Sequence, residues 1–268
     1  MGPAEPASGN RSLQRGVAII RAFKPGLALL GNAELAERTG LPKSTISRLT
    51  QTLVESGMLE HDKASRAYRL APSVLSLAHA MRLGSPILSA IAPVMRAKAE
   101  ERRVNVGLAA ADGDAMVYLE SFRYSHRVRF RTVVSGARVP IELTSLGRAY
   151  LWSLPPTARA AALATIAERR AREWKRLERE IDQSFDELER FGICAVRWQP
   201  RALAVATPIS DGRQVPHALN LSIASDEPIG AGLRRLGPWL LELKTRCFEE
   251  LALRAADAPP GTERPASG

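Results

Sequence analysis

Residues 33–57 read AELAERTGLPKSTISRLTQTLVESG, and this stretch decides the fold of the N-terminal third of the chain. The segment AELAERTG predicts a short helix that stops at Gly40, because glycine tolerates the left-handed backbone that ends many helices. The segment LPKSTISRLTQTLVESG predicts a second helix, with Pro42 in its first turn and Gly57 beyond its end. Two helices joined by a tight glycine-containing turn are typical of a helix-turn-helix.

The second helix of this pair has one apolar and one polar face. Ile46, Leu49 and Leu53 recur at helical spacing and form the face predicted to be buried. Serine, arginine and glutamine on the other face can reach base edges in a major groove, and a lysine at the helix start can meet a phosphate. A lone polar face is more often solvated surface, but the helix-turn-helix spacing and the basic setting favour DNA. The candidate contacts on this helix are Lys43, Ser44, Thr45, Ser47, Arg48 and Gln51.

The flanking segments extend this motif into a winged module. Ser12 is a plausible N-cap for a first helix in LQRGVAIIRAF, where apolar residues recur at helical spacing. Downstream, residues 58–61 and 67–70 of MLEHDKASRAYRLAP predict two short strands across the polar turn DKAS. Lys63 and Arg66 near the tip of this wing are candidates for contacts to the phosphate backbone or the minor groove, and a merely solubilising hairpin tip is the alternative.

Length and charge predict a small basic module ahead of a larger domain. The 268 residues allow one large or two modest domains, and the net charge of +10 makes a polyanionic partner plausible. Only six of the 38 basic residues are lysine, and such an arginine bias can also follow from genome composition. Residues 1–84 carry 11 basic and 6 acidic side chains, whereas residues 85–268 carry 27 and 22, so the first part has the denser positive charge.

The larger part predicts a mixed α/β domain with an antiparallel sheet. Strand patterns surround Asp112-Gly113 and again Asp211-Gly212, and each is a strong hairpin signal. Between the hairpins, residues 157–192 carry apolar side chains at helical spacing, and the basic run 169–179 is interleaved with glutamates, as on a solvated helix face. A last amphipathic helix over about 233–253 is predicted to cover the sheet.

The segment SFRYSHRVRFR at 121–131 supports several interpretations. Basic residues interleaved with aromatic ones could bind single-stranded nucleic acid. Strict alternation favours a strand with one buried face, which places Arg127, Arg129 and Arg131 together on the other face. This arginine face could be a subunit contact or plain exposed surface.

Several classes of protein lack support in the sequence. Nucleophile-elbow, metalloprotease, P-loop and dinucleotide motifs are missing, so we predict no enzyme and no cofactor, although active residues scattered along the chain stay possible. The four histidines lack metal-ligand spacing, and the two cysteines, Cys194 and Cys247, give neither a disulfide framework nor a thiolate cluster, so we predict no metal. No apolar run approaches the roughly 20 residues that span a bilayer, and the first residues do not read as a signal peptide. We expect no membrane contact and a cytoplasmic location.

The motifs described so far resemble those of the isocitrate lyase regulator (IclR) family of bacterial transcription factors. The resemblance is carried by LQRGVAIIRAF, by AELAERTGLPKSTISRLTQTLVESGMLEHD and by YRLAPSVLSLA. It continues in VSGARVPIELTSLGRAYLW, with its pattern of Gly136, Pro140, Thr144 and Gly147, and covers about residues 11–252.

The resemblance implies an α+β protein with three structured segments, and the composition of the two ends, rich in Pro, Gly, Ala and Ser, predicts a disordered tail on either side of them. In chain order, the five segments are a disordered tail at 1–10, a winged helix-turn-helix DNA-binding domain at 11–71, a linker helix at 72–84, a GAF-like effector-binding domain of mixed α/β structure at 85–253, and a second disordered tail at 254–268.

The resemblance also implies an effector pocket between the sheet and the segment after Pro140. Its positions match Ser145, Leu146, Ala204, Asn220 and Ser222 here. The sequence departs from the family at Glu142, where a histidine is common, at Ala204, where a cysteine is usual, and in the shortened segment RWQPR. Arg197 and Arg201 stand where the family tends to carry carboxylates, so Arg197 is a candidate partner for an anionic ligand, with a solvated loop as the alternative.

We therefore predict a DNA-binding transcriptional regulator controlled by a small organic or aromatic acid. One recognition helix and wing contact too few base pairs for genomic specificity, so we expect a homodimer, or a homotetramer built as a pair of dimers, on palindromic double-stranded DNA. The alternative from another class is a metabolite-binding protein or an enzyme whose winged module mediates protein contacts.

Overall fold

The computed structural model describes residues 10–124, 134–210 and 216–256. Contacts along the backbone divide the chain into two compact units, the first ending at Gly84 and the second beginning at Ser85. The interpretation of Arg127, Arg129 and Arg131 as one strand face falls outside the described residues. Most of the two expected tails also lies outside them, although Asn10 caps a helix and residues 254–256 are helical.

The first unit is a winged helix-turn-helix, as predicted. Its elements are α1 (Arg11–Ala22), α2 (Asn32–Thr39), α3 (Lys43–Glu55), β1 (Leu59–Asp62), β2 (Ala67–Leu70) and α4 (Ser73–Leu83). Two predicted details are wrong. Asn10, not Ser12, caps α1, because its side chain accepts hydrogen bonds from the backbone N–H groups of Ser12 and Leu13 at 3.0 and 3.2 Å. The first wing strand runs from Leu59 to Asp62, one residue later than expected.

A small apolar core holds the first unit together. Ile19, Leu35 and Ile46, one from each helix of the bundle, are fully buried. Gly40 ends α2 with a left-handed backbone (φ 69°), and its N–H donates to the carbonyl oxygen of Ala36 at 2.9 Å. This turn brings α2 and α3 together, and it is the turn predicted from the sequence.

Helix α4 is apolar and yet has no buried residue within the first unit. Its large exposed side chains include Leu75, which is 74% exposed, and also Leu77, Met81 and Leu83. Isolated helices of this length are marginal in water without tertiary packing. Within the described chain, these apolar side chains of α4 stay uncovered.

The second unit is a six-stranded antiparallel sheet between layers of helices. Its elements are α5 (Pro86–Arg102), β3 (Asn105–Asp112), β4 (Ala115–Phe122), β5 (Arg138–Pro140), α6 (Ser145–Ser153), α7 (Pro156–Arg169), α8 (Trp174–Phe191), β6 (Cys194–Gln199), β7 (Ala202–Ile209), β8 (His217–Ala224) and α9 (Ile229–Ala256). The strand order is β5-β4-β3-β8-β7-β6.

The two faces of the sheet belong to different cores. Leu219 and Leu221 of β8 pack with α5 and α9, whereas Ala218 of the same strand packs with α6, α7 and α8. Side chains alternate between the faces along a strand, so Asn220 and Ser222 lie on the α6 face. These two residues therefore place polar side chains on the α6 face, opposite Leu219 and Leu221 on the α5/α9 face.

Most predicted elements of the second unit are present, with corrected bounds. Gly113 forms the turn of the first hairpin (φ 62°), and β7 and β8 form the second, whose turn falls in residues 211–215, outside the described part. The helical stretch 157–192 is two helices, broken between Arg169 and Trp174. The last helix starts at Ile229 rather than at 233, and it ends at Ala256 rather than at 253.

Within the described ranges, no single helix is both long and apolar enough to cross a bilayer. Taken together, the consecutive helices α4 and α5 would be long and apolar enough, but the helical structure breaks between Leu83 and Pro86, so they do not form one helix.

The turn between β5 and α6 folds back onto its own helix. Gly147 lies in the first turn of α6, and a Cβ atom there would overlap the carbonyl group of Ile141. The Thr144 hydroxyl donates to the carbonyl oxygen of Pro140 at 2.9 Å and accepts from the Gly147 N–H at 3.2 Å. Because backbone occupies the space, glycine is required at this position.

We expect Gly147→Ala to lower the free energy of unfolding of the second unit by about 3 kcal/mol, since the methyl group would displace backbone rather than a flexible side chain. Gly113→Ala is the control, because its Cβ would meet open space and only the left-handed conformation would cost about 1 kcal/mol. Urea denaturation followed by tryptophan fluorescence measures both. Equal losses in the two variants would contradict the close approach.

Candidate functional site

The polar face of α3 is exposed along its whole length. Lys43, Ser44, Ser47, Arg48 and Gln51 are exposed, whereas Thr45 is half-buried. On the opposite face, the hydroxyl of the buried Thr50 donates to the carbonyl oxygen of Ile46 at 2.9 Å, which satisfies the hydroxyl within the helix. The predicted polar set therefore lies together on one side of α3, with Thr45 at its edge.

Gln51 has a neighbour that the sequence interpretation did not include. Its side-chain Nε2 donates to Oε1 of Glu55 at 3.0 Å, one helical turn further along. This bond favours one orientation of the amide, and the Gln51 carbonyl oxygen remains an acceptor on the exposed face.

The tip of the wing presents two exposed cations, Lys63 and Arg66. Asp62 shapes the turn, because its carboxylate accepts from the Ala64 N–H at 2.9 Å. The Ser65 hydroxyl and then the Ala64 N–H lower the pKa of Asp62, so this carboxylate stays ionised. Arg66 has a left-handed backbone (φ 52°), a conformation that is uncommon outside glycine.

A second group of predicted residues meets in the other unit, where α6 lies on the sheet. Ser145 and Leu146 begin α6, and Ala204 and Ser222 are direct partners across β7 and β8. Asn220 lies further along β8, opposite Ala206. Side-chain alternation therefore places Ala204, Asn220 and Ser222 on the face of the sheet that α6 covers, and the Cys194 contact to the Ser145 carbonyl oxygen ties the start of α6 to that face.

Arg197 is not part of this group. Arg197 lies two residues after Ala195 on β6, so its side chain points to the same α5/α9 face. Its guanidinium donates to the carbonyl oxygens of Ser225 and Glu227 in the loop before α9. Arg201 is exposed and pairs with Asp226 at 3.1 Å. The geometry therefore gives no support to a ligand contact by Arg197.

The structure brings Tyr118 and Gly107 into the group, although sequence reasoning missed both. Asn220 Nδ2 donates to the Tyr118 hydroxyl oxygen at 3.3 Å, and burial raises the pKa of Tyr118 to about 12. A Cβ on Gly107 would overlap the Tyr118 ring and lie 2.6 Å from Asn220 Oδ1. A glycine inside a strand pattern indicates such a close approach, and that signal was present in the sequence.

The groups on this face are polar but neutral. The Tyr118 hydroxyl is protonated at physiological pH because its pKa is raised. The Cys194 thiol donates to the Ser145 carbonyl oxygen at 3.6 Å, and burial raises its pKa to about 12, so it too stays protonated. Tyr118 and Cys194 therefore offer neutral groups, while the charges of Glu187 and Arg148 lie close enough to Cys194 to act on its pKa in opposite directions.

The described residues contain no cluster of three or more potential metal ligands. The geometry of the two sites also differs from that of a catalytic centre. One is an exposed polar helix beside a cationic wing, and the other is a small polar face beneath a helix N-terminus.

A winged helix-turn-helix joined to a separate α/β unit with an internal polar face defines a two-domain DNA-binding regulator. Residues 12–63 match the IclR helix-turn-helix domain, and residues 79–242 match the bacterial transcriptional regulator IclR C-terminal domain. The chain belongs to the IclR family of transcriptional regulators. It has an N-terminal DNA-binding domain and a C-terminal ligand-binding domain.

Individual relatives agree with this assignment. The chain is 29% identical over 255 residues to the HTH-type transcriptional regulator TsaQ1/TsaQ2 of Comamonas testosteroni, an alignment that covers 92% of this chain and 90% of that protein. Its fold is similar to the crystal structure of an IclR family regulator from Brucella abortus, with 30% identity, a TM-score of 0.83 and coverage of 97% and 96%.

A more distant structure shares the fold. This IclR homologue from Microbacterium hydrocarbonoxydans, in complex with 4-hydroxybenzoate, has 20% identity, a TM-score of 0.68 and coverage of 90% and 99%. The curated relatives are regulators rather than enzymes, in agreement with the expectation from the sequence.

The position of Arg197 generates a stability prediction. Arg197→Ala should lower the free energy of unfolding by about 2 kcal/mol, because two carbonyl groups lose charge-assisted hydrogen bonds. Arg201→Ala, which removes an exposed ion pair, should change it by less than about 0.5 kcal/mol. Chemical denaturation compares the two. If the Arg197→Ala variant were as stable as the parent, the loop before α9 would not depend on this side chain.

Proposed function

We propose that the protein binds an operator through α3 and the wing, and that a ligand held between α6 and the sheet changes its affinity for that operator. The observation that carries this proposal is the exposed polar face of α3, with Arg48 and Gln51 on it, in the same unit as a wing tip bearing Lys63 and Arg66. Arginine and glutamine read base edges, and cations at a turn meet phosphates.

The exposed apolar surface of α4 supports assembly into at least a homodimer. Leu75 and Leu83 are 74% and 70% exposed, which is costly for a helix that stays in water. A two-fold dimer would read a palindromic operator, with half-sites one helical turn or a multiple of it apart. A pair of such dimers, a homotetramer, would occupy two operators. We place this activity in the bacterial cytoplasm, where the DNA is.

We further propose that the effector is a small organic acid with an apolar or aromatic body. The first N–H groups of α6, at Ser145 and Leu146, attract an anion through the helix dipole. Asn220, Ser222 and Tyr118 offer neutral hydrogen bonds to the rest of the ligand. The relative solved with 4-hydroxybenzoate gives the same ligand class. With Arg197 turned away, the helix N-terminus replaces the predicted charge partner.

Selection of bound fragments from a random duplex pool, at two salt concentrations, tests the DNA-binding part. We expect an enriched motif with two-fold symmetry, and binding that weakens steeply as salt rises, because phosphate contacts release counterions. Enrichment of no motif at either salt concentration would contradict the proposal. Binding of a single half-site by a monomer would contradict its dimeric part.

Replacing Arg48 tests sequence reading. Arg48→Ala should cost about 1–3 kcal/mol on the selected motif and relax preference at one base pair of each half-site. The matched wing variant, Lys63→Ala, should weaken binding to the motif and to scrambled DNA alike, since it removes a phosphate contact. Fluorescence anisotropy on both duplexes measures these constants. If Arg48→Ala discriminated between the duplexes as the parent does, α3 would not be the reading helix.

Arg66 allows a separate check of the wing tip. Arg66→Gly removes the cation but suits the left-handed backbone, whereas Arg66→Ala removes the cation and keeps the unfavourable conformation. If the charge matters for binding, both variants should weaken binding to any duplex about equally, while the glycine variant should be the more stable in a thermal melt. A loss of binding confined to the alanine variant would assign the effect to backbone shape.

Filling the polar face tests the effector site. Ser222→Leu adds volume beside Ala204, so it should abolish the rise in melting temperature that an accepted acid produces, while ligand-free DNA binding stays intact. Butyrate, benzoate and 4-hydroxybenzoate are the probes. Ser89→Leu, at an exposed position of α5, is the control and should keep the parent response. Equal shifts in all three proteins would locate the ligand elsewhere.

A further inference from the structure

Glu142 is a buried acidic residue that takes no part in the proposed DNA and effector contacts. It lies in the turn between β5 and α6, at the position where the family resemblance leads one to expect a histidine. The residue is 1% exposed. A buried carboxylate is costly unless charged or hydrogen-bonding partners compensate for the loss of water, so its partners decide what it does.

Two arginines at the end of α7 hold the Glu142 carboxylate. Arg169 Nη2 donates to Oε2 at 2.9 Å, and Arg170 Nε donates to Oε1 at 2.8 Å. Each carboxylate oxygen thus has its own guanidinium. Arg169 also reaches Asp114, in the turn between β3 and β4, at 3.1 Å, so one α7 terminus is tied to two turns.

The backbone of the same residue is held from the other side. The carbonyl oxygen of Glu142 accepts from Arg148 Nε at 3.1 Å. The Arg148 guanidinium continues to α8, where it donates to the Glu180 carbonyl oxygen at 2.9 Å and to Ser184 Oγ at 3.1 Å. Glu142 is therefore tied to α7 through its side chain and to α8 through its carbonyl.

This double attachment lies directly before the end of α6 that faces the sheet. Thr144 caps the helix, and Gly147 allows the turn to rest on it. Movement of Glu142 would move the first N–H groups of α6. We propose that Glu142 is a positioning residue, which holds the N-terminus of α6 in register with the sheet by clamping the preceding turn between α7 and α8. This role rests on the proposed function in one respect, namely that the N-terminus of α6 faces the effector.

Hydrogen exchange on the full-length protein without ligand tests this role, because it separates local loosening from general loss of stability. In Glu142→Gln, one arginine faces an amide donor instead of an acceptor. We expect amides of residues 144–148 to exchange about tenfold faster or more, while those of the β8 core at 219–221 keep the parent rate. Asp226→Asn, which neutralises an exposed carboxylate in the same domain, is the matched control and should leave both regions unchanged.

A second variant covers the case in which Glu142→Gln fails to fold. Arg170→Gln removes one of the two partners at a side chain that is 35% exposed, and it should give a smaller increase confined to residues 144–148. Unchanged exchange at 144–148 in the folded variants, or an equal increase there and at 219–221, would overturn the positioning role. Because no ligand is added, failure of the effector proposal leaves this measurement unaffected.

Discussion

The contact of the Ile141 backbone with Gly147 is the constraint on which the ligand-binding unit depends. It requires that the first turn of α6 carry no side chain at this position, and it folds the preceding turn flat against the helix. That arrangement places Thr144 as the cap and Glu142 in the interior, and it sets Ser145 and Leu146 over β7 and β8. The polar face beneath α6 exists because two backbone segments approach more closely than any Cβ would allow.

The sequence predicted features that depend on local periodicity. The α3 stripe, the glycines that end α2 and α3, and the hairpins are set by neighbouring residues, and all of the described ones are present. The predicted N-cap of α1 was wrong because Asn10 and Ser12 are both residue types that cap helices, and the sequence alone does not select between them. The α7/α8 break was missed because the residues before Trp174 remain polar and helix-compatible.

Long-range pairing explains the errors at the site. Positions Ser145, Ala204, Asn220 and Ser222 came from a family pattern, and strand register places the last three on the same face of β7 and β8. Arg197 was predicted to contact a ligand, but strand alternation turns its side chain to the α5/α9 face. Its partners, Ser225 and Glu227, lie in a loop far along the chain, so the sequence did not indicate them. Tyr118 was missed because its contact with Asn220 spans strands distant in sequence, although Gly107 marked the place where space was needed.

The separation of the sheet's two faces has a consequence for how such regulators diverge. Buried aliphatic side chains such as Leu219 and Leu221 line the α5/α9 face, whereas the α6 face of the same strands carries small groups such as Ala204 and Ser222. In the effector site proposed above, exchanging one small residue for another on the α6 face would change the ligand contacts and leave the aliphatic packing against α5 and α9 in place. The stability of the sheet and the choice of ligand would thereby depend on opposite faces of the same strands.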